Sequence, residues 1–515
     1  VPLDTDVNQS LTQQLTNASS QRKSNVKIFL IVFQLCAINF LSSFTNGIIT
    51  VGLPTISQSI SLPRSLYLWP SSVYGLTSGA TLLLAGSVAD LIGARTVDLV
   101  GCVILSAFSL ACGLSQSGIQ LVLFRAFQGV GFSLHLPASV GLVAAAAPPG
   151  RARNISFGCL GLSQPLGFSA GLVVSGIMIE RAGWRSGFYL VGGSCIVATI
   201  AAAWSLPKAP ATTQSQVPLL TRLRTEIDWI GGIIASAGLA LLSYVLAMLS
   251  ADLSEIKKAS TPTMLAVSLS LLIAFPLWMH RREKANKPAL IPNALWKKSA
   301  FTATCIMVAL SYGAMNAMEL FSSLYFQEIQ NTSTFFTSLR LLPNLLIGVL
   351  INLTVGMFVD KVSARWLVAI SSLLCAGAPL MMALVDPDWS YWYMEFWAQS
   401  LAPLSGDVLF TVGLLIISDQ FPEKTQALAG AVFNTVAQFG MSLGIGICQV
   451  VALATSDQAS GHGVPEGEPG GEADTEGLLK GFQASFWTMF AFGIACVVLA
   501  VGGLRKTGKV GLKRD

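Results

Sequence analysis

Very few side chains inside the long apolar runs of this 515-residue sequence are equipped for chemistry. Arg125, followed by Gln128 and Gly129, brings a guanidinium that stays charged at any physiological pH. It can bias a nearby carboxylate or hold an anionic group, or it can serve as a structural hydrogen-bonding hub; it cannot carry a proton in and out. Asp407, directly after Gly406, and Glu319 are acids in equally apolar surroundings. A carboxyl kept from water is a residue type that can exchange protons near neutrality. Asp407 is therefore the foremost candidate proton carrier, with a buried structural hydrogen bond as the alternative. Glu319 reads as an outer-gate partner of Arg340, or as a second coupling acid. His135 has an imidazole that titrates near neutrality when unperturbed, although a lone histidine in such a run is first a hydrogen-bonded packing residue. Nine cysteines lie in the same runs with no CxxC spacing and no histidine nearby in sequence, so they read as small apolar fillers. No metal and no cofactor is expected.

These residues need elements to hold them, and the composition says of what kind. Hydrophobic residues make up 53% of the chain and charged residues 11%, against roughly 25% charged in a soluble domain. That excludes a soluble globular protein, and a disordered one, which would be polar and charged. The net charge of +5 is spread over tails and short loops, so no nucleic-acid surface is implied. A helix needs about 20 apolar residues to cross a bilayer, and fourteen segments meet that need. They lie near 27–49, 66–88, 96–115, 119–145, 155–178, 187–206, 229–249, 262–280, 300–322, 336–358, 366–385, 393–418, 426–454 and 483–504. The polar start contains no removable signal peptide, and the first span serves as the signal.

An even number of spans puts both ends on one side, and lysine and arginine show which. With the ends in the cytoplasm, 23 of these residues fall in inner segments and seven in outer ones, Arg125 standing apart within a span. Basic residues accumulate on the cytoplasmic side, so that orientation is expected. The organisation follows: a cytoplasmic tail at 1–26, a six-helix bundle at 27–206 and a cytoplasmic linker at 207–228. An accessory helix pair with a basic loop occupies 229–299, a second six-helix bundle with an acidic outer loop at 455–480 occupies 300–504, and a tail occupies 505–515.

Two stretches recur, and duplicated halves mark carriers that bind at the membrane midplane. Gly86-x-x-x-Asp90-x-x-Gly93-x-Arg95 ends span 2, and Gly356-x-x-x-Asp360-Lys361-x-x-x-Arg365 ends span 10. Each sets a carboxylate at the inner surface, beside a basic residue, where it can latch two bundles together. Span 5 carries Gly167, Gly171 and Gly176, and span 13 carries Gly440 and Gly444. Small residues four apart let helix backbones approach, giving either a sliding seam between bundles or ordinary tight packing. By depth alone Gln34, Asn46, Tyr74, Gln128, Gln164, Asn434 and Gln438 are candidates for a central substrate cavity.

With these residues in view, the chain resembles the fourteen-span drug:proton antiporters of the major facilitator superfamily, fungal members above all. Gly86, Asp90, Gly93 and Arg95 match the loop signature after span 2, with Leu91 and Ala94 where basic residues are usual. Leu121-x-x-x-Arg125-x-x-Gln128-Gly129-x-Gly131 matches the intramembrane arginine motif. The span 5 glycines resemble the antiporter motif, with Leu172 and Ser175 replacing a proline and a glycine. Asp228-Trp229-Ile230-Gly231-Gly232 looks like the opening of the extra helix pair, and Trp184-Arg185-x-x-Phe188 is similar to another family stretch. In span 1, Thr45 stands where the family usually has an acid. The resemblance implies an all-α integral membrane protein with the major facilitator fold: two six-helix bundles plus two accessory helices. It implies efflux of a small organic molecule, driven by protons through alternating access, by a monomer in the plasma membrane. An uncoupled or uptake carrier for a small solute or cation is the alternative. No paired catalytic carboxylates, nucleophile elbow or phosphate loop appear in the spans, so an enzyme is not expected.

Overall fold

The computed structural model describes residues 4–63, 66–147, 151–207, 219–249, 253–359, 361–421, 423–459, 472–505 and 507–508. Among these residues the chain is helical without strands, and fourteen helices are long and apolar enough to cross a membrane. Lipid offers no partner to a backbone N–H or C=O, so a spanning segment must satisfy its own by coiling into a helix.

Spans 1 to 6 are Val26–Ser59, Trp69–Ile92, Ala94–Leu114, Gly118–Ala146, Ile155–Ala182 and Trp184–Ser205. The accessory spans 7 and 8 are Trp229–Leu249 and Ser260–Lys284. Spans 9 to 14 are Ser299–Ile329, Thr334–Asn352, Ala364–Leu384, Glu395–Ile417, Leu428–Ser456 and Thr475–Gly503. The terminal side is the one on which span 1 begins and span 14 ends; the far side is opposite. Span 1 runs ten residues past its expected end, through Pro54 and up to Ser59. Span 12 is broken: helix Glu395–Leu401 stops, Ala402 and Pro403 interrupt it, and helix Leu404–Gln420 follows. Proline lacks the N–H that would continue the ladder, and the break puts Asp407 in the first turn of a half-helix.

Close backbone packing builds each bundle from inside. A Cβ placed on Gly167 or Gly171 would strike the backbone of Phe40 or Phe44, and one on Gly47 would lie 2.6 Å from the Leu172 nitrogen. Spans 1 and 5 therefore cross with almost nothing between them. Spans 9 and 13 repeat the arrangement: Gly440 meets the backbone of Ala309, and Gly444 meets Gly313. This corrects the expectation of a sliding seam at Gly167, Gly171, Gly440 and Gly444, because each packs within its own bundle. Gly176 alone of the five meets the other bundle, at Ser338 and Phe335 of span 10.

The accessory pair is tied down by Asp228. Its Oδ1 accepts from the Gly231 N–H at 3.0 Å and from the Trp278 indole at 3.1 Å, so one carboxylate caps span 7 and holds span 8. Ser268 adds a 2.7 Å bond to the Gly238 carbonyl. Span 7 lies against span 2 of the first bundle, where Ser236 donates to the Ala80 carbonyl at 2.7 Å. It also lies against span 13 of the second, where Leu246 meets Gly446.

Gly444→Val should cost about 1–3 kcal/mol through forced separation of spans 9 and 13, whereas Gly158→Ala, with no atom within 4 Å of an added Cβ, should be neutral. Retention of a monodisperse chromatographic peak after stepwise heating measures both.

Candidate functional site

Arg125 is fully buried, and its guanidinium is matched to neutral oxygens in place of a carboxylate. Nε donates to the Pro70 carbonyl at 3.0 Å. One terminal nitrogen donates to Thr45 Oγ1 at 3.0 Å and Gln128 Oε1 at 2.9 Å, and the other to Asn46 Oδ1 at 2.6 Å. The Tyr74 ring lies 4.7 Å from the cation, with its hydroxyl 2.7 Å from Ser42 Oγ. One side chain on span 4 thus fastens spans 1 and 2. Gln128, placed in the cavity by depth, stands behind Arg125 instead and donates its amide to Ser109 of span 3 at 2.8 Å. Thr45, at the position where an acid is usual, is one of the arginine's acceptors.

The second bundle holds the acids. Glu319 is buried and accepts from the Asn344 amide at 3.2 Å. Its expected ion pair with Arg340 does not form. Arg340 instead donates to Gln330, lies 3.8 Å from the buried Glu395 carboxylate, and sits between the rings of Phe326 and Tyr391. Glu319 lies ten residues before the end of span 9 and Arg340 six residues into span 10, so Glu319 sits deeper and the two do not meet. Asp407 is half-buried, facing Gly348 of span 10, where an added Cβ would come 3.0 Å from its Oδ2. Asn352, Tyr312 and Glu319 are near enough to act on it electrostatically or by hydrogen bonding. Two carboxylates, two amides and a phenol therefore converge from spans 9, 10 and 12.

Among the described residues, the hydrogen bonds between the bundles lie on the far side and near mid-span. Gln327 donates to the Val51 carbonyl at 3.0 Å, Tyr67 to Glu328 Oε1 at 2.6 Å, and Ser338 to the Leu172 carbonyl at 2.8 Å. Glu180 of span 5 accepts from the Phe335 N–H at 3.0 Å, capping span 10 from the opposite bundle. The helix stripe that carries Leu172 and Gly176 continues toward the terminal side through Gly161 and Gly158, where an added Cβ meets nothing within 4 Å. Span 13 behaves alike: Gln438 lies on Gly75 and Gly79 of span 2 and accepts from Ser78 at 3.3 Å, but Gly430, two turns on, faces open space. The bundles are closed on the far side and diverge toward the terminal side. Asn46, Gln164, Asn434 and Gln438 are half-buried along that divergence, while Gln34 is buried in the first bundle with neither amide atom bonded.

The loop signatures lie on the diverged side. Asp90 is exposed, Gly93 adopts a φ of 106° that makes the tight turn, and Arg95 donates to the Ala203 carbonyl of its own bundle at 2.6 Å. Gly86 lies against Pro137. In the second copy Gly356 is helical, Lys361 is exposed and the Arg365 guanidinium lies over Trp366, while Asp360 falls outside the described residues. A buried group escaped sequence reading. Asp98 of span 3 lies 2.7 Å from His135 Nδ1, and Cys102 Sγ stands 3.9 Å from both, all fully buried. Three potential metal ligands meet there, but the acid and imidazole are already in direct hydrogen-bond contact. The signal was an acid four residues from a cysteine near the start of a span.

Comparison with known proteins bears on this architecture. A family model described as Major Facilitator Superfamily matches residues 35–445. The chain belongs to the major facilitator superfamily. It is 39% identical to "MFS-type transporter 1" of Pyricularia oryzae, covering 95% of this chain and 86% of that one. It is 25% identical to the "Methylenomycin A resistance protein" of Bacillus subtilis (87% and 93%) and 24% identical to the "Low affinity ammonium transporter" of Saccharomyces cerevisiae (82% and 81%). Among solved structures, a bacterial homologue of the human lysosomal transporter Spinster, inward-facing and unoccupied, superposes with a TM-score of 0.61 at 15% identity. That alignment covers 93% of this chain and 98% of that one. The chain is a multi-pass membrane transporter of the superfamily that carries small molecules by secondary transport.

Arg125→Lys should reduce transport by more than about tenfold, since one ammonium cannot reproduce the four oriented bonds of the guanidinium. Vesicle flux normalised to protein in the membrane measures this. Joining Glu180→Cys to Phe335→Cys, neighbours across the far-side seam, by a short bifunctional reagent should stop transport by pinning the far side shut, and reagent-treated single variants should keep most of their flux.

Proposed function

We propose that this chain exports a small organic molecule in exchange for protons, working by alternating access in the plasma membrane as a monomer with both ends in the cytoplasm. The observation that carries the reading is the convergence of Asp407 and Glu319 with Asn344, Asn352 and Tyr312 in the second bundle. Carboxylates without a cationic partner in an apolar bundle are costly when charged, and proton uptake relieves that cost. If substrate and proton compete for these acids, binding of one weakens binding of the other by the same factor. Protons arriving from outside then displace the substrate outward. Arg125 does not take part as a carrier; its role is to hold spans 1, 2 and 4 in register beside the cavity. With the terminal side cytoplasmic, the present geometry is inward-facing, and the latches at Asp90 and Asp360 engage when that side closes. Asn46, Gln164, Asn434 and Gln438 contribute the polar lining, whereas Gln34 and Tyr74, expected there by depth, are buried within the first bundle. The name of the Bacillus subtilis relative supports export.

A second reading keeps the fold and drops the coupling: uptake or facilitated passage of a small cation. Thr45 in place of the span 1 acid and the named ammonium transporter among the relatives favour it. The two readings separate in vesicles with and without an imposed pH gradient. Export by antiport requires gradient-dependent flux that Asp407→Asn abolishes while gradient-independent exchange persists, and a change of about fivefold or more is the smallest that signals useful coupling. Flux that ignores both the gradient and the substitution selects the second reading.

A further inference from the structure

Among the described residues, the buried acids other than Glu319 each have a basic neighbour. Asp98 lies 2.7 Å from His135, Asp228 lies 3.8 Å from Arg282, and Glu395 lies 3.8 Å from Arg340. Glu319 has the Asn344 amide instead, at 3.2 Å. The groups that act on Asp407 or feel its charge are Asn352 of span 10, Tyr312 and Glu319 of span 9, and Cys375 of span 11. No lysine, arginine or histidine of the described residues acts on either acid. Like charges side by side in an apolar bundle do not both ionise, so the two acids carry at most one negative charge between them. Asp407 is the accessible member of the pair, since it is half-buried and Glu319 is buried.

A single negative charge with no cation of its own selects its guest. An anion has nothing to hold it here, because Arg125, the guanidinium beside the divergence, is fully buried and spends its N–H groups on four neutral oxygens. A neutral guest leaves the carboxylate uncompensated in an apolar bundle, at a cost. The surroundings of Asp407 define the rest of the guest. Phe410 follows Asp407 by about one turn on span 12, and its ring lies 5.9 Å from that of Tyr312 on span 9, both residues half-buried. Aromatic faces attract cations and pack flat apolar groups. We propose that the cargo is an organic monocation with an apolar body, held by Asp407 as its counter-ion against the rings of Tyr312 and Phe410. The proposal rests on the export reading for direction and coupling, and on the acid pair alone for its choice of charge. One monocation and one proton leave the pair with the same net charge, so exchanging one for the other moves no net charge across the membrane.

The test uses the full chain, purified for equilibrium binding and reconstituted in vesicles for flux. Two probe sets of matched shape vary the charge alone. The large set is tetraphenylphosphonium, triphenylphosphine oxide and tetraphenylborate; the small set is benzyltrimethylammonium, its carbon isostere neopentylbenzene, and phenylacetate. In at least one set the cation should bind about tenfold or more tightly than its neutral and anionic counterparts, as a charge-assisted contact requires. Asp407→Asn should erase that preference while leaving the affinity for the neutral counterpart unchanged, a split that a merely structural role does not produce. Asp407→Glu, which keeps the charge, should keep the preference. No preference for the cation in either set, or a preference that survives Asp407→Asn, overturns the proposal. In vesicles, pH-driven flux of the preferred cation, taken over protein-free vesicles, should be indifferent to a potassium diffusion potential; a response to that potential overturns the one-for-one exchange. Flux indifferent to the pH gradient with the binding preference intact removes the antiport reading and leaves the cation site standing. Gradient-driven flux without the preference does the reverse.

Discussion

A polar atom in this protein has to find its partner within protein, because hydrocarbon supplies none. The arrangement of Arg125 follows from that constraint alone. Its guanidinium is satisfied by a threonine, an asparagine, a glutamine and a backbone carbonyl, so the positive charge is spread over neutral oxygens from spans 1, 2 and 4. An acid at position 45 would neutralise the arginine and confine much of its bonding to one partner. With threonine there, Asn46 and Gln128 complete the set, and the hub becomes a structural clamp. The acids of the candidate site, Asp407 and Glu319, lie instead in the second bundle.

The same constraint decides what was legible in the sequence. Fourteen apolar runs read as fourteen helices because length and hydropathy alone determine whether a segment can cross a bilayer. The accessory pair begins at the expected residue, and Asp228 explains why: it caps span 7. The end of span 1 was not legible, since its extension through Pro54 is made by a helix that outruns the membrane core and packs against the protein. Neither was the interruption of span 12, because proline occurs inside spans 1, 4, 5, 8, 10 and 11 without ending them.

Partners across helices were the least readable. Glu319 and Arg340 are adjacent in span order and opposite in charge, yet differ in depth, and each satisfies itself locally. Asp98 and His135 are 37 residues apart and form a buried pair that neither motif nor spacing announces. The glycines of spans 5 and 13 were visible as close-packing signals, but spacing cannot say which helix approaches. The approach is from spans 1 and 9, inside each bundle.

That assignment has a mechanical consequence. Contacts within a bundle include backbone against backbone at Gly167, Gly171, Gly440 and Gly444, where no side chain can adjust and any separation leaves a void. Contacts between bundles on the far side combine packing at Gly176 and Gly75 with side-chain bonds from Tyr67, Gln327, Ser338 and Glu180, several of the bonds near the surface. Water can replace such bonds at small net cost, whereas it cannot enter a glycine crossing. The difference in replaceability makes each bundle the rigid unit and the seam the compliant one.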